Sequence, residues 1–535
     1  MRTQPFFLAA TVAVALLSQP AIAATNSVSP GDDIQAAVDG ATDGDTIELA
    51  AGTYFLPPWE QINVSKSITI RGVGGRDLTI VDGGYSTRGF YLNAPNIVIE
   101  GLTIQQCFEN EGAGIYFAGG AGTIIRDCAI VNNFASYGGG VWCNGPDTIQ
   151  FINCDISGNM ANEGGAIECN SGSVPVFRNC VIENNFAYQN GGAIASIIGD
   201  PTFDGCQIRN NETMGNGGAI WVHSSIETKI MRCSITGNVS IFGGGIWTEG
   251  QSTPLIFSCL IAGNESLVEA GGIGIQDGPG PLIYNCTIVN NTAATIGGGV
   301  LSIYGGEGVV RNSIIRGNYP DQVMVTEDSY TSFDYCNIEG LGGVVIPPQY
   351  LGPNNIDEPS GFVDEAGGDY RLTSQSKCRD AGLTEPWMYA ETDRAGGPRV
   401  FGSQVDLGAY EWSIPHLRSI IEIILEIVRA NDFNGESQNA LINQLDSNGN
   451  GDALSKIDDA EQNLADGKLK QARSSFIDAI KKFETFKNLV GNAVTDYPPP
   501  GISQATADEL TNLATLAQAW IDDRMAEVGL DPYVR

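Results

Sequence analysis

The sequence predicts a mainly β fold, a right-handed parallel β-helix with three strands in each coil of about 26 residues, followed by a small all-α domain. Three observations predict it. Seven cysteines, Cys128, Cys154, Cys180, Cys206, Cys233, Cys259 and Cys286, follow one another at steps of 26 or 27 residues. Isoleucine stands two positions after each (Ile130, Ile156, Ile182, Ile208, Ile235, Ile261, Ile288) and asparagine five after (Asn133, Asn159, Asn185, Asn211, Asn238, Asn264, Asn291). Glycine pairs come next, as at Gly164-Gly165, Gly191-Gly192, Gly217-Gly218 and Gly244-Gly245. Such a period is too long for a hairpin and carries no helical spacing, so short strands and turns must fill it. Stacked coils place like residue above like residue in parallel register, ~4.8 Å apart.

Each marker then has a physical task. Cys and Ile, two apart, share one strand face, and their recurrence makes that face the inward one. Buried thiols act there as small apolar fillers. Parallel in-register side chains point the same way, which is poor geometry for a disulfide, and a linear stack is not a convergent metal site. The asparagines can bond their copies above and below, and the glycines permit close backbone approach. N-x-S/T sequons occur at Asn63, Asn211, Asn238, Asn264, Asn285 and Asn290. Asn211, Asn238 and Asn264 are ladder positions, which favours stacking over glycosylation. The pattern continues through Ser313, Ile315 and Asn318, with a degenerate copy at Cys336 and Ile338. Coils are expected from about Asp45 to about Gly343.

The chain opens with Arg2, an apolar run from Phe6 to Leu17, and Ala21-Ile22-Ala23. Residues 1–23 therefore read as a signal peptide, and the protein as exported: secreted, on the cell surface or periplasmic. No later run approaches the roughly 18 apolar residues of a membrane span. Twenty-eight basic against 62 acidic residues leave a net charge of −34, which disfavours nucleic acid and anionic membranes as partners and suits solubility outside the cell or the collection of cations. At 535 residues more than one domain is expected.

The segment PGDDIQAAVDGATDGDTIELAAGTY, residues 30–54, resembles the N-terminal cap of right-handed β-helix proteins of the pectate-lyase-like class. The GGAI and NNxA elements resemble repeats of chlamydial polymorphic outer membrane proteins. FVDEAGGDYRLTSQSKCRDAG, DRAGGPRV and VDLGAYEW, within about 362–412, are similar to the end of choice-of-anchor Q domains. The matching positions are Asp369, Tyr370, Leu372, Ser376, Asp380, Gly382, Asp393, Gly397, Arg399, Asp406, Gly408, Ala409, Tyr410 and Glu411. That family implies a β-helical surface or secreted protein and no single chemistry. The β-helical region is thus read as 24–412.

After Trp412 glycine becomes rare and apolar residues take helical spacing, as in Ala472, Phe476, Ala479, Ile480 and Phe483. Helices are expected near 417–430, 436–445, 453–490 with a break around Gly467, and 504–528. The stretch from Asn439 to Phe483 resembles the FIMAH domain, so 413–535 is read as a helical domain of that type. Within it Asp446, Asn448, Asn450, Gly451 and Asp452 mimic the first half of a calcium loop. Ile457 stands where the bidentate Glu is needed, and a helix-joining turn explains the same residues. Calcium is the one cofactor the sequence raises.

In β-helix lyases and glycosidases the substrate lies along an outer groove of one stacked sheet, and the strand after each glycine pair resembles that sheet. With Val141, Ile167, Ile194, Ile220 and Ile246 inward, Trp142, Glu168, Ala195, Trp221 and Trp247 are expected to face solvent, and Asn144, Asn170, Ile197, His223 and Glu249 form the next outward row. Exposed indoles stack on sugar rings while Glu, Asn and His bond hydroxyls. Alternatively, loops of the same coils bury the rings. Both readings stay open. His223 and Glu249 stand on adjacent coils, one strand spacing apart, close enough for proton transfer. Glu168 and Glu249 are roughly 14 to 15 Å apart, outside glycosidase geometry. Lys229, Arg126, Arg178, Arg209 and Arg232 form no constellation for neutralising a uronate, and no triple-Asp calcium cluster of the pectate-lyase kind occurs.

The leading reading is a non-catalytic glycan-binding or adhesive protein, with Trp142, Glu168, Trp221, His223, Trp247 and Glu249 at the site and an extracellular polysaccharide or cell-surface glycan as partner. A polysaccharide lyase or glycoside hydrolase using His223 and Glu249 is the second reading. A structural spacer is the third.

Overall fold

One coil shows how the repeat closes. In the computed structural model, which describes residues 23–341, 346–373, 375–400, 404–412, the helix at 469–495 and a few further helical positions between 453 and 521, the chain forms strands Ala129–Val131, Phe134–Tyr137, Val141–Asn144 and Ile149–Ile152. It then lays Asp155–Ser157 in parallel on Ala129–Val131, with Ile130 opposite Ile156. Each regular coil therefore carries four strands rather than the three expected. The reason is a corner made by a single left-handed residue, Asn132 at φ 56°, with Gly158, Asn184 and Asn210 in the same place on later coils. Asn and Gly adopt that conformation at little cost, so a strand can begin again without a spacer.

The Cys-Ile strands build a 12-stranded sheet and the strands after the corner a short 8-stranded one. The remaining two columns, one through Trp142 and one through Phe151, join into a 22-stranded sheet because Ile273–Tyr284 and Val300–Arg311 run through both. At the glycine pairs neighbouring coils nearly touch: a Cβ on Gly192 would lie 2.2 Å from the carbonyl oxygen of Gly218.

The interior is filled in single file. Phe151, Phe177 and Phe203 stack at centroid distances of 4.6 and 4.9 Å. All twelve cysteines are buried and unpaired. Cys128 donates to the Arg126 carbonyl at 3.2 Å and Cys154 to that of Ile152 at 3.5 Å. Burial pushes the Cys128 and Cys336 thiols up to about 12, so they stay protonated and apolar. The asparagines form a continuous ladder. Asn159 Nδ2 donates to Asn185 Oδ1 at 3.1 Å and to the Ile130 carbonyl at 2.8 Å, and the same pattern runs from Asn133 to Asn318. Asn211, Asn238 and Asn264 are buried in it, closed to glycosylation in the folded state.

A helix, Ile34–Gly40, lies where the sequence reads an end cap; Asp33 accepts from Gln35 N, and Ile34 and Val38 are buried in the core cluster. At the other side of the chain, Asp369–Leu372 pairs antiparallel with Phe362–Asp364, and Tyr370 packs on Leu260, Ala262 and Val289 of the solenoid. The segment is pinned by Ala409 N to Thr287 Oγ1 at 2.9 Å and by a fully buried ion pair, Arg399 to Glu411 at 2.8 Å. From Trp412 onward the chain forms a second unit. Its helix Leu469–Thr495 buries Phe476, Ala479, Phe483, Phe486 and Val490 at helical spacing. The helices expected near 417–430 and 436–445, and the candidate calcium residues Asp446, Asn448, Asn450 and Asp452, lie outside the described residues. No helix among the described residues is long and apolar enough to cross a membrane.

Candidate functional site

The strand register lines up one row on the outer face of the solenoid: Asn63, Tyr91, Tyr116, Trp142, Glu168, Ala195, Trp221 and Trp247. Asn144, Asn170, Ile197, His223 and Glu249 form the neighbouring row. Both rows point away from the solenoid interior, as the alternation requires. From Trp142 to Trp247 the first does not reach water. Trp142 and Trp221 are each 7% exposed, Trp247 2% and Glu168 1%. The expectation of solvent-facing indoles is thus corrected. The covering groups come from the short sheet of the same coils: Tyr137 meets Trp142 edge-on at 5.8 Å, and Phe242 lies 5.9 Å from Trp247. Ala195, Trp221, Trp247, Ala270 and Leu301 form a second apolar cluster outside the solenoid core, with Phe242 and Ile296 packed against it. Burying indoles there removes the cost of leaving them in water.

Within this cluster one carboxylate collects the polar atoms. Glu249 Oε1 accepts from Trp221 Nε1 at 3.1 Å and lies 3.2 Å from His223 Nδ1. Its Oε2 accepts from Trp247 Nε1 at 3.0 Å and from Asn216 Nδ2 at 3.4 Å. The imidazole stacks on Trp221 at 5.4 Å. The His223 side chain is 40% exposed, that of Glu249 18%. With the proton on Nδ1 directed at Glu249, Nε2 is left as an acceptor. The structure therefore brings together His223, Glu249, Trp221 and Trp247. Glu249→Gln turns one half of this acceptor into a donor facing an indole N–H. A loss of about 2 kcal/mol is expected, with a changed near-ultraviolet circular dichroism from the indoles; an unaltered spectrum and stability would show that the carboxylate does not hold the rings.

Trp142 and Glu168 form a separate group, four and three coils from Glu249 by register. Glu168 Oε1 accepts from Asn170 Nδ2 at 3.4 Å, while Glu168 Oε2 and Trp142 Nε1 are buried without a protein partner. Burial pushes the Glu168 carboxyl up to about 9, and the nearby Glu163 adds to the shift. It is a neutral acid at neutral pH.

The aromatic row extends further than the sequence reading took it. Tyr91 and Tyr116 stack at 5.2 Å, Tyr116 and Trp142 at 6.5 Å, and the Arg88 guanidinium lies over Tyr116 at 4.9 Å. Steps of 26 and 25 residues back from Trp142 would have found both tyrosines. The basic residues noted in the coils do not join the site: Arg126 pairs with Glu100, Arg209 with Glu183, and Arg232 with Asp204 and Glu391. Among the described residues no group of three or more His, Cys, Asp or Glu is arranged to hold a metal ion.

Residues 139–300 match the family model described as the right-handed β-helix region. No curated protein sequence matches the chain. Among solved structures, pectate lyase Pel9A is 15% identical with a TM-score of 0.41, over 74% of this chain and 97% of that one. PL6 family alginate lyase AlyGC is 15% identical with a TM-score of 0.36, over 71% of this chain and 60% of that one. The A-module of Azotobacter vinelandii mannuronan C-5 epimerase AlgE6 is 15% identical with a TM-score of 0.34, over 60% of this chain and 94% of that one.

Proposed function

We propose that this β-helical chain is an exported protein, secreted or held at the cell surface, that binds polysaccharide on the outer face of its solenoid without cleaving it. The observation that carries the reading is the Glu249 cluster, a carboxylate fixed by two indoles beside a half-exposed imidazole on an otherwise repetitive surface. Asn144, Asn170, His223 and Glu249 offer partly exposed donors and acceptors along one line, which suits a polymer of hydroxyls. Two features weigh against chemistry. Four polar neighbours surround Glu249, so its carboxylate oxygens are already engaged in holding the two indoles, the imidazole and Asn216. Arg126, Arg209 and Arg232, which could neutralise a uronate, are paired with carboxylates off the strands that carry the two rows. Export by a signal peptide at 1–23, a choice-of-anchor Q-like segment at 362–412 and a FIMAH-like domain at 413–535 complete the proposal.

A second reading, cleavage by a lyase or glycoside hydrolase, is favoured by the 3.2 Å contact of His223 with Glu249, which orients an imidazole as a base. Incubation with acidic and neutral polysaccharides, with and without calcium, separates the two. Binding without unsaturated products or new reducing ends, weakened in His223→Ala, is the expected result. Turnover abolished by His223→Ala or Glu249→Ala would replace binding with catalysis. Neither binding nor turnover would leave a spacer.

A further inference from the structure

We infer a second ligand site, for a short neutral glycan, in a cavity at the N-terminal end of the solenoid. The cavity measures about 790 Å³, within the range of sites for small organic ligands. Two of its lining residues, Trp59 and Phe55, are the most exposed large apolar side chains among the described residues, at 84% and 75%. Elsewhere on this solenoid the indoles of the outer row are buried and Trp221 and Trp247 bond their N–H groups; Trp59 is left in water at the mouth of a cavity. Its segment is held in place. Leu56 N donates to the Asp82 carbonyl at 2.8 Å, Trp59 N to that of Ser86 at 3.3 Å and Ile62 N to that of Gly89 at 3.0 Å.

The lining includes a connected polar network. Asn63 N donates to Gln35 Oε1 at 2.7 Å, and Gln61 Nε2 to Asn63 Oδ1 at 2.9 Å. Arg88 donates to Gln61 Oε1 and, through Nη2, to the Glu111 carbonyl at 2.9 Å. Arg88 is the only cation lining the cavity, and these acceptors, with the Gly112 carbonyl, engage it. Asp32, Asp33, Glu60 and Glu109 also line it. Four carboxylates against one engaged guanidinium repel a phosphate or a uronate. Aromatic faces with amide and carboxylate partners around them suit the C–H faces and hydroxyls of an uncharged sugar. Asn63 is also the first residue of the outer row that continues through Tyr91 and Tyr116, so a bound glycan end would lie in line with that row. The ligand class rests on the polysaccharide-binding reading; the site rests on the cavity.

The test titrates the full-length protein with short oligosaccharides of glucose, mannose, galactose or xylose, and with oligogalacturonate as the acidic comparison, by calorimetry and tryptophan fluorescence. Trp59→Ala, the double variant Phe55→Ala with Trp59→Ala, and His223→Ala are compared, with unchanged thermal midpoints as the folding control for two exposed positions. Binding of at least one neutral oligosaccharide, weakened roughly tenfold by Trp59→Ala, partly restored by Trp59→Phe and untouched by His223→Ala, is expected. Neutral oligosaccharides that fail to bind, or bind the double variant as well as the parent, overturn the site. Polymer binding that survives in the double variant but is lost in His223→Ala overturns this inference alone. Neutral binding that needs Trp59, with none on the outer row, overturns the earlier reading alone.

Discussion

Replacing Asn185 by Ala is expected to destabilise the solenoid by about 4 kcal/mol, because it strands two buried donors on the coil before it. Asn185 Oδ1 accepts both the backbone N–H of Asn159 at 2.9 Å and its Nδ2 at 3.1 Å. Both belong to a side chain and backbone closed to solvent; Nδ2 keeps only the Ile130 carbonyl for its two hydrogens, and the backbone N–H is offered no other acceptor. The Nδ2 of Asn185 itself serves the Ile156 carbonyl at 2.9 Å, so an acceptor loses its donor as well. Asn184, one residue earlier, is the control. It occupies the left-handed corner at φ 55° with its side chain exposed. Asn184→Ala loses only the ease of that conformation, about 1 kcal/mol. Chemical denaturation measures the difference, and amide exchange locates it, since a solenoid can open by neighbouring coils. The largest loss of protection is expected between Asn159 and Asn211. Equal losses in the two variants would mean that the corner, not the ladder, holds the coils together.

The same physics explains what the sequence made legible. Cys, Ile and Asn recur because every interior coil meets identical neighbours above and below, so the period, the parallel register and the inward face all follow from spacing. The pairing of Trp221 with Trp247 and of His223 with Glu249 is part of that arithmetic. The fourth strand was not legible, because one left-handed residue such as Asn132 replaces the turn that would have marked it. Its omission hid the burial of the indoles, since Tyr137 and Phe242, which cover them, sit on that strand or its copies. Tyr91 and Tyr116 escaped because the earlier coils lack the marker: Leu102 stands where the next coil has Cys128. The cavity at Trp59 lies where the repeat has not yet become regular, and periodicity carries no information there.

Glu168→Gln is expected to stabilise the protein at neutral and alkaline pH, by about 3 kcal/mol at pH 7. Burial is the main cause that raises this carboxyl from 4.5 to about 9, Glu163 and Glu111 add like charge, and only the Asn170 amide favours ionisation. In the unfolded chain the group loses its proton near 4.5; in the folded chain it keeps it to about 9. Between those values the folded state binds the extra proton, so stability falls as pH rises. Below the lower value both states are protonated and the penalty vanishes. A glutamine is neutral throughout and never pays the cost of a buried charge. The remaining carboxylates also titrate with folding, so the informative quantity is the difference between parent and variant. That difference should be near zero at pH 4, grow through neutrality and level off above about pH 9. A difference that stays flat from pH 4 to pH 9 would mean that Glu168 ionises freely, and that its buried position opens to solvent.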